Sequence, residues 1–136
     1  MVKPIIRDVM FLGQKSEDAT EADKQIITDL HDTLEANHDH CVGMAANMIG
    51  HKKRIIIVSM GFMDFVMVNP VITQKLQPYD TEEGCLSFDG VRKTKRYRRI
   101  KVDFLDETFQ KHTQEYEGQI AQIIQHECDH LEGIII

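Results

Sequence analysis

Apolar residues at Ile26, Ile27, Leu30 and Leu34 recur at the three-and-four spacing of one helical face. The polar segment 14–24 leads into them, and Thr20 with Asp23 forms an approximate capping signal. The pattern predicts a first helix over about residues 21–38, closed by the polar turn His38-Asp39-His40. The middle of the chain is strand-like. Arg54 to Val58 and Phe65 to Val68 are short β-branched runs, and Asn69-Pro70 punctuates the second before Val71 and Ile72 resume it. Ile100, Val102 and Phe104 alternate with Lys101 and Asp103, which predicts a further strand over 100–105, and Lys111 to Tyr116 predicts another. From about Gly118 the period lengthens again, with Ile120, Ile124, Cys128 and Leu131 on one helical stripe and Gly133 in the place of a C′ residue. Strands clustered between two helices, without long crossovers, predict an α+β fold of mostly antiparallel strands, with an N-terminal helix and a C-terminal one.

Composition narrows the class. A chain of 136 residues fits one compact domain spanning 1–136, and 42% hydrophobic with 28% charged residues is ordinary for a globular protein and wrong for a disordered one. No apolar run approaches the roughly 18–20 residues that cross a bilayer, which argues against a membrane partner. The N-terminal segment, broken by Arg7 and Asp8, builds no secretory core, so the expected compartment is the cytoplasm. Cys41, Cys85 and Cys128 are an odd, widely spaced set, a poor disulfide framework and a better source of thiols or metal ligands. A net charge of −6 argues against a dedicated nucleic-acid binder. Seven Lys and Arg between Arg92 and Lys101 run against that average; they read as an exposed turn and strand edge, or as a patch for a phosphate-rich partner.

The strongest chemical signal is His126-Glu127-Cys128-Asp129-His130. On a helix the two histidines stand one turn apart on one face and reach a single cation, while Glu127 is close enough to touch a water on that cation. The alternative is two surface histidines on an amphipathic helix, but the apolar character of the rest of the helix makes idle polar groups on a semi-buried face expensive. A catalytic metal needs a third protein ligand and an open position. Spacing leaves that ligand open among the remaining His, Cys, Asp and Glu residues. Context favours Cys85 in Glu82-Glu83-Gly84-Cys85-Leu86-Ser87, where a small-residue turn can present a thiolate; a buried structural thiol is the other reading. Cys128 and Cys41 read as core.

These blocks closely resemble the peptide deformylase family, which carries the patterns G-φ-G-φ-A-A-x-Q, E-G-C-L-S and Q-H-E-x-D-H-L-x-G in that order. Glu83 to Ser87 reproduces the second block and Gln125 to Gly133 the third, while Cys41 to Met48 matches the first at Gly43, Ala45 and Ala46. The resemblance implies that Cys85, His126 and His130 hold one divalent metal, natively Fe(II), with Zn, Ni or Co also able to fill the site. It implies that Glu127 shuttles the proton of the attacking water and that the Leu86 backbone N–H meets the developing oxyanion. Gly43 would bind the extended substrate, and Arg96 aligns with an arginine near the peptide backbone. The implied reaction removes formate from N-formylmethionyl nascent peptides during N-terminal processing, with docking at the ribosome a family-level expectation.

Departures from the pattern bear on activity. Met48 stands where the family has the glutamine whose amide is a second oxyanion donor, and a thioether donates no hydrogen bond. Loss of one such donor typically lowers turnover by roughly 10²–10³. The neighbouring Asn47 carries an amide, but adjacent side chains normally point apart. Cys41 replaces the first glycine, Phe88-Asp89-Gly90 replaces a common proline, and Gln119 stands at a helix position that is commonly large and apolar beside the methionine pocket. Ile134 to Ile136 could supply only a short closing strand. The sequence therefore reads first as a deformylase, with a paralogue of weak or no turnover that still binds metal and formyl-peptide termini as the alternative. An unrelated zinc protease would leave the E-G-C-L-S block a coincidence.

Overall fold

The computed structural model describes residues 1–136. Five strands, β1 (Gly43–Ala45), β2 (Ile55–Ser59), β3 (Asp64–Cys85), β4 (Phe88–Leu105) and β5 (Lys111–Glu117), form one antiparallel sheet in sequential order. Helix α1 (Val9–Leu12) is a single turn, α2 is Lys24–Ala36, and α3 is Gly118–Leu131. The architecture is the α+β arrangement that the hydrophobic pattern predicts.

β2 explains why the sheet sits between two helices. Its residues Ile55 to Val58 are all buried, because a central strand covered on both faces must be apolar at every position. Ile55 and Ile57 point to one face and pack with Ile26, Ile27, Leu30 and Leu34 of α2. Ile56 and Val58 point to the other and pack with Ala121, Ile124, Cys128 and Leu131 of α3. The period-two alternation of one strand thus feeds two cores.

The first helix is shorter than predicted. Glu21–Asp23 is a 3₁₀ turn, capped reciprocally by Thr20 and Asp23: Thr20 N–H donates to Asp23 Oδ2 at 2.9 Å, and Ala22 N–H donates to Thr20 Oγ1 at 3.3 Å. The far end stops at Ala36 because Asn37 Nδ2 donates to the Thr33 carbonyl at 2.8 Å and takes an acceptor left open at the helix terminus.

β3 and β4 form a hairpin much longer than the short runs suggested. A register shift between Val68 and Val71 absorbs Asn69, whose φ of 50° bends the strand without ending it, and a second lies between Ile72 and Gln74. Its side-chain amide holds the backbone of Ala19, accepting from its N–H at 2.7 Å and donating to its carbonyl at 3.0 Å. The basic stretch is not a turn. It lies within β4, and across the ladder Arg92, Lys93 and Lys95 face Glu83, Glu82 and Asp80. Residues 134–136 make no closing strand. Gly133 takes φ 75° and Ile134 N–H donates to the Asp129 carbonyl at 3.0 Å, so these residues finish α3 and bury Ile136.

Candidate metal centre

Cys85 ends β3, and His126 and His130 lie one turn apart on the face of α3 that meets it. Three of their donor atoms, one from each residue, lie within 4.8 Å of one another. Cys85 Sγ is 3.4 Å from His130 Nε2, and the Nε2 atoms of the two histidines are 3.1 Å apart. Two buried imidazole nitrogens this close cannot both carry protons comfortably. Burial and the neighbouring His126 push His130 well below the usual histidine range. Burial also pulls on His126, but its contacts with Cys85 and Glu83 outweigh that and raise it. One cysteine sulfur and two imidazoles, the histidines buried and the thiol half-buried beside an open cavity, are a donor set that fits a divalent transition metal such as Fe(II), Zn, Ni or Co.

A carboxylate to which the sequence motifs gave no role of its own orders this cluster. Glu83 Oε1 contacts His126 Nδ1 at 2.7 Å, which turns Nε2 of that ring toward Cys85 and His130. Arg96 donates to the same carboxylate through Nη2 at 2.7 Å and Nε at 3.0 Å, and Gln122 Nε2 donates to it at 2.9 Å. Burial alone would raise the Glu83 pKa, but these partners, led by His126, hold it at about 2.

Arg96 is not where the alignment put it. Only 3% exposed, it spans Glu83 and Asp129, reaching Asp129 Oδ2 through Nη1 at 2.6 Å, and it takes no part in the cavity wall. A guanidinium inside the fold needs carboxylate partners, and two stand beside it. Gln125 is equally structural: its amide exchanges 2.8 Å hydrogen bonds with the N–H and carbonyl of Tyr97 and docks α3 on the open edge of β4.

A cavity of about 530 Å³ opens on the cluster. Gly43, Met48, Leu86 and Glu127 all line it, so most of the sequence-predicted site converges there. Glu127 is buried, its Oε1 has no hydrogen-bond partner, and burial pushes its pKa up to about 7. Leu86 follows Cys85 in the hairpin turn, its carbonyl held by Arg7 Nη1 at 3.1 Å. Gly43 begins β1, which pairs only with β2 and leaves its other edge free. Cys41, read from sequence as core, is instead half-buried on the cavity wall, with Sγ donating to the Gly43 carbonyl at 2.8 Å. Asn47 turns away from the cavity and donates from Nδ2 to the His130 carbonyl at 2.9 Å. Cys128 is core, as expected.

Comparison with known proteins agrees with this geometry. The sequence model of the polypeptide deformylase family matches residues 3–136. A peptide deformylase of Clostridium beijerinckii is 60% identical over 136 residues, covering 100% of both chains. The crystal structure of the Thermotoga maritima peptide deformylase superposes with a TM-score of 0.90 at 29% identity, covering 99% of this chain and 95% of that one. An Acinetobacter baumannii peptide deformylase with Met-Ala-Ser bound superposes with a TM-score of 0.88 at 28% identity, covering 99% and 97%. Agreement along the whole sequence, and along nearly the whole backbone, places this chain in the peptide deformylase family.

Proposed function

We propose that residues 1–136 act as a single deformylase domain that hydrolyses the formyl group from N-formylmethionyl peptides. The observation that carries this reading is the Cys85–His126–His130 cluster, with both histidines buried, and Glu127 beside them on the wall of one cavity. We assign the metal to those three side chains and propose Fe(II) as its native identity. A divalent cation held there would supply Lewis acidity for the hydrolysis at neutral pH.

The chain's own groups do the rest. Glu127, with its pKa lifted toward 7, takes a proton as water oxygen bonds to the formyl carbon. It then delivers that proton to the amine nitrogen as the C–N bond breaks, leaving formate and a free N-terminal methionine. The Leu86 N–H donates to the oxygen that gains charge on the way. Gly43 offers its backbone on the free edge of β1, where an extended peptide adds as a strand. Met48 lines the same cavity but has no hydrogen to donate, so this chain works with one oxyanion donor fewer than the family pattern provides.

Such a substrate emerges from the ribosome, which makes nascent chains the partner and the cytoplasm the place of work. No helix is long and apolar enough to cross a membrane. The test is formate release from formyl-Met-Ala-Ser by protein loaded anaerobically with Fe(II), with metal content measured on the same sample. Formate at a rate proportional to bound metal supports the reading. Fully metallated protein that releases none refutes it.

A further inference from the structure

Sixteen residues surround this cavity: six are hydrophobic, three are glycines, and four of the seven polar ones stand on α3. Counting back from His126, Gln122 and Gln119 follow on one flank of the helix, about 6 and 10 Å from it along the axis. Both line the cavity. Gln122 Nε2 is committed to Glu83 at 2.9 Å, which fixes the amide and leaves its Oε1 free to accept. Gln119 stands exposed at the outer end, with both halves of its amide available.

In a peptide laid along the free edge of β1, side chains leave the strand alternately, so one set is directed into the cavity that Gly43 shares with Gln119 and Gln122 of α3. An unbranched side chain about one helical turn long ends between Gln122 and Gln119. We infer that this subsite is built for a first side chain with a polar, uncharged tip as well as for methionine, so that formyl-peptides beginning with methionine sulfoxide are substrates on a par with apolar ones. Buried in an apolar wall without a partner, such a tip is disfavoured by about ten- to a hundredfold. Between two amides it is paired. The inference rests on the deformylase reading above and names the substrates of that same site.

The experiment compares kcat/KM for formyl-norleucyl-Ala-Ser and formyl-(methionine sulfoxide)-Ala-Ser in the metal-loaded wild type, in Gln119→Leu and in Gln119→Leu/Gln122→Leu. The ratio between the two peptides cancels any general loss from disturbing Glu83, and the single variant leaves that carboxylate untouched. The wild type is expected to use the two peptides within about threefold of each other. The sulfoxide peptide should then lose at least about tenfold against norleucine in the double variant, and part of that in Gln119→Leu. A wild-type preference for norleucine beyond threefold, or a ratio unmoved in both variants, overturns the inference. Competitive binding of the unformylated tripeptides, followed by calorimetry, gives the same comparison without turnover. No formate from any peptide would count against the deformylase reading, while the binding order of the tripeptides would still decide the character of the subsite.

Discussion

Gly43 and Glu127 approach so closely that a β-carbon on Gly43 would stand 2.9 Å from Glu127 Oε2 and 2.8 Å from Ile123 Cγ2. The two side chains could shift, but the Ile57 carbonyl on the other side, at 3.2 Å, belongs to the neighbouring strand and yields little. Gly43→Ala is therefore expected to lower stability by about 1–3 kcal/mol, as overpacking does, and to reduce formate release at least tenfold by displacing Glu127. Urea unfolding and kcat/KM measured together check both effects. Full activity in the variant would mean that Glu127 does not depend on its place against β1.

Met48 and Asn47 separate a site role from a structural one. Met48 is 1% exposed, with Sδ 3.5 Å from the Ala45 N–H, and its side chain borders the cavity. Met48→Gln should restore an amide donor and raise kcat by a factor on the order of 10² with little change in KM. Asn47→Ala should leave kcat within about threefold while lowering stability by about 1–3 kcal/mol, because the His130 carbonyl loses its buried partner. The reverse outcome would make Asn47 the donor.

Glu83 holds a metal ligand, so its effect should appear in metal affinity before it appears in rate. In Glu83→Gln the His126 ring loses its charged partner and Arg96 keeps Asp129 as its one carboxylate partner. Metal affinity is expected to fall by about 10–100-fold, and stability by about 3–5 kcal/mol as a buried ion pair is broken. Chelator competition and denaturant titration measure the two. Unchanged affinity would dissociate Glu83 from the ligand geometry.

On the surface, one carboxylate should resist acid longer than its neighbours. Asp106 closes the β4–β5 turn, with Oδ2 contacting His112 Nε2 at 2.7 Å and Oδ1 accepting from Thr108 N–H and Gln110 N–H at 2.9 and 3.1 Å. These bonds, the one with His112 foremost, hold its carboxyl below the ordinary aspartate range. A depressed folded value means the stabilisation is complete above the unfolded pKa of about 3.9 and shrinks as pH falls below it toward the folded value. Asp106 should thus remain ionised near pH 3, as read from its carboxyl carbon shift by NMR. Titration at the ordinary position would show that the turn exerts no such hold.

The elements were largely legible because each has its own period. Helical spacing from Ile26 to Leu34 and from Ile120 to Leu131 marked α2 and α3, and the alternation from Ile100 to Phe104 marked the core face of β4. Lengths were not legible. β3 continues through Asn69-Pro70 and the mostly polar residues 73–82 because ladder hydrogen bonds to β4 carry it, and partner strands leave no trace in local composition. Ile134 to Ile136 looked like a strand but serves the end of α3.

For the site, local sequence determined the donors: the turn-spaced His126 and His130, Glu127 between them, and a Cys85 block that matched a known pattern. Burial and partner choice belonged to the tertiary structure alone. Arg96 was a substrate-binding residue by resemblance and is a buried strut, Cys41 was core by character and is cavity wall, and Glu83 became the support of His126. Each of these roles depends on what stands across a gap between β3, β4 and α3, and a chain carries no local record of which segment folding will bring opposite it. Residue type sets what a group can do, and the charge and packing of its neighbours in space select which of those things it does.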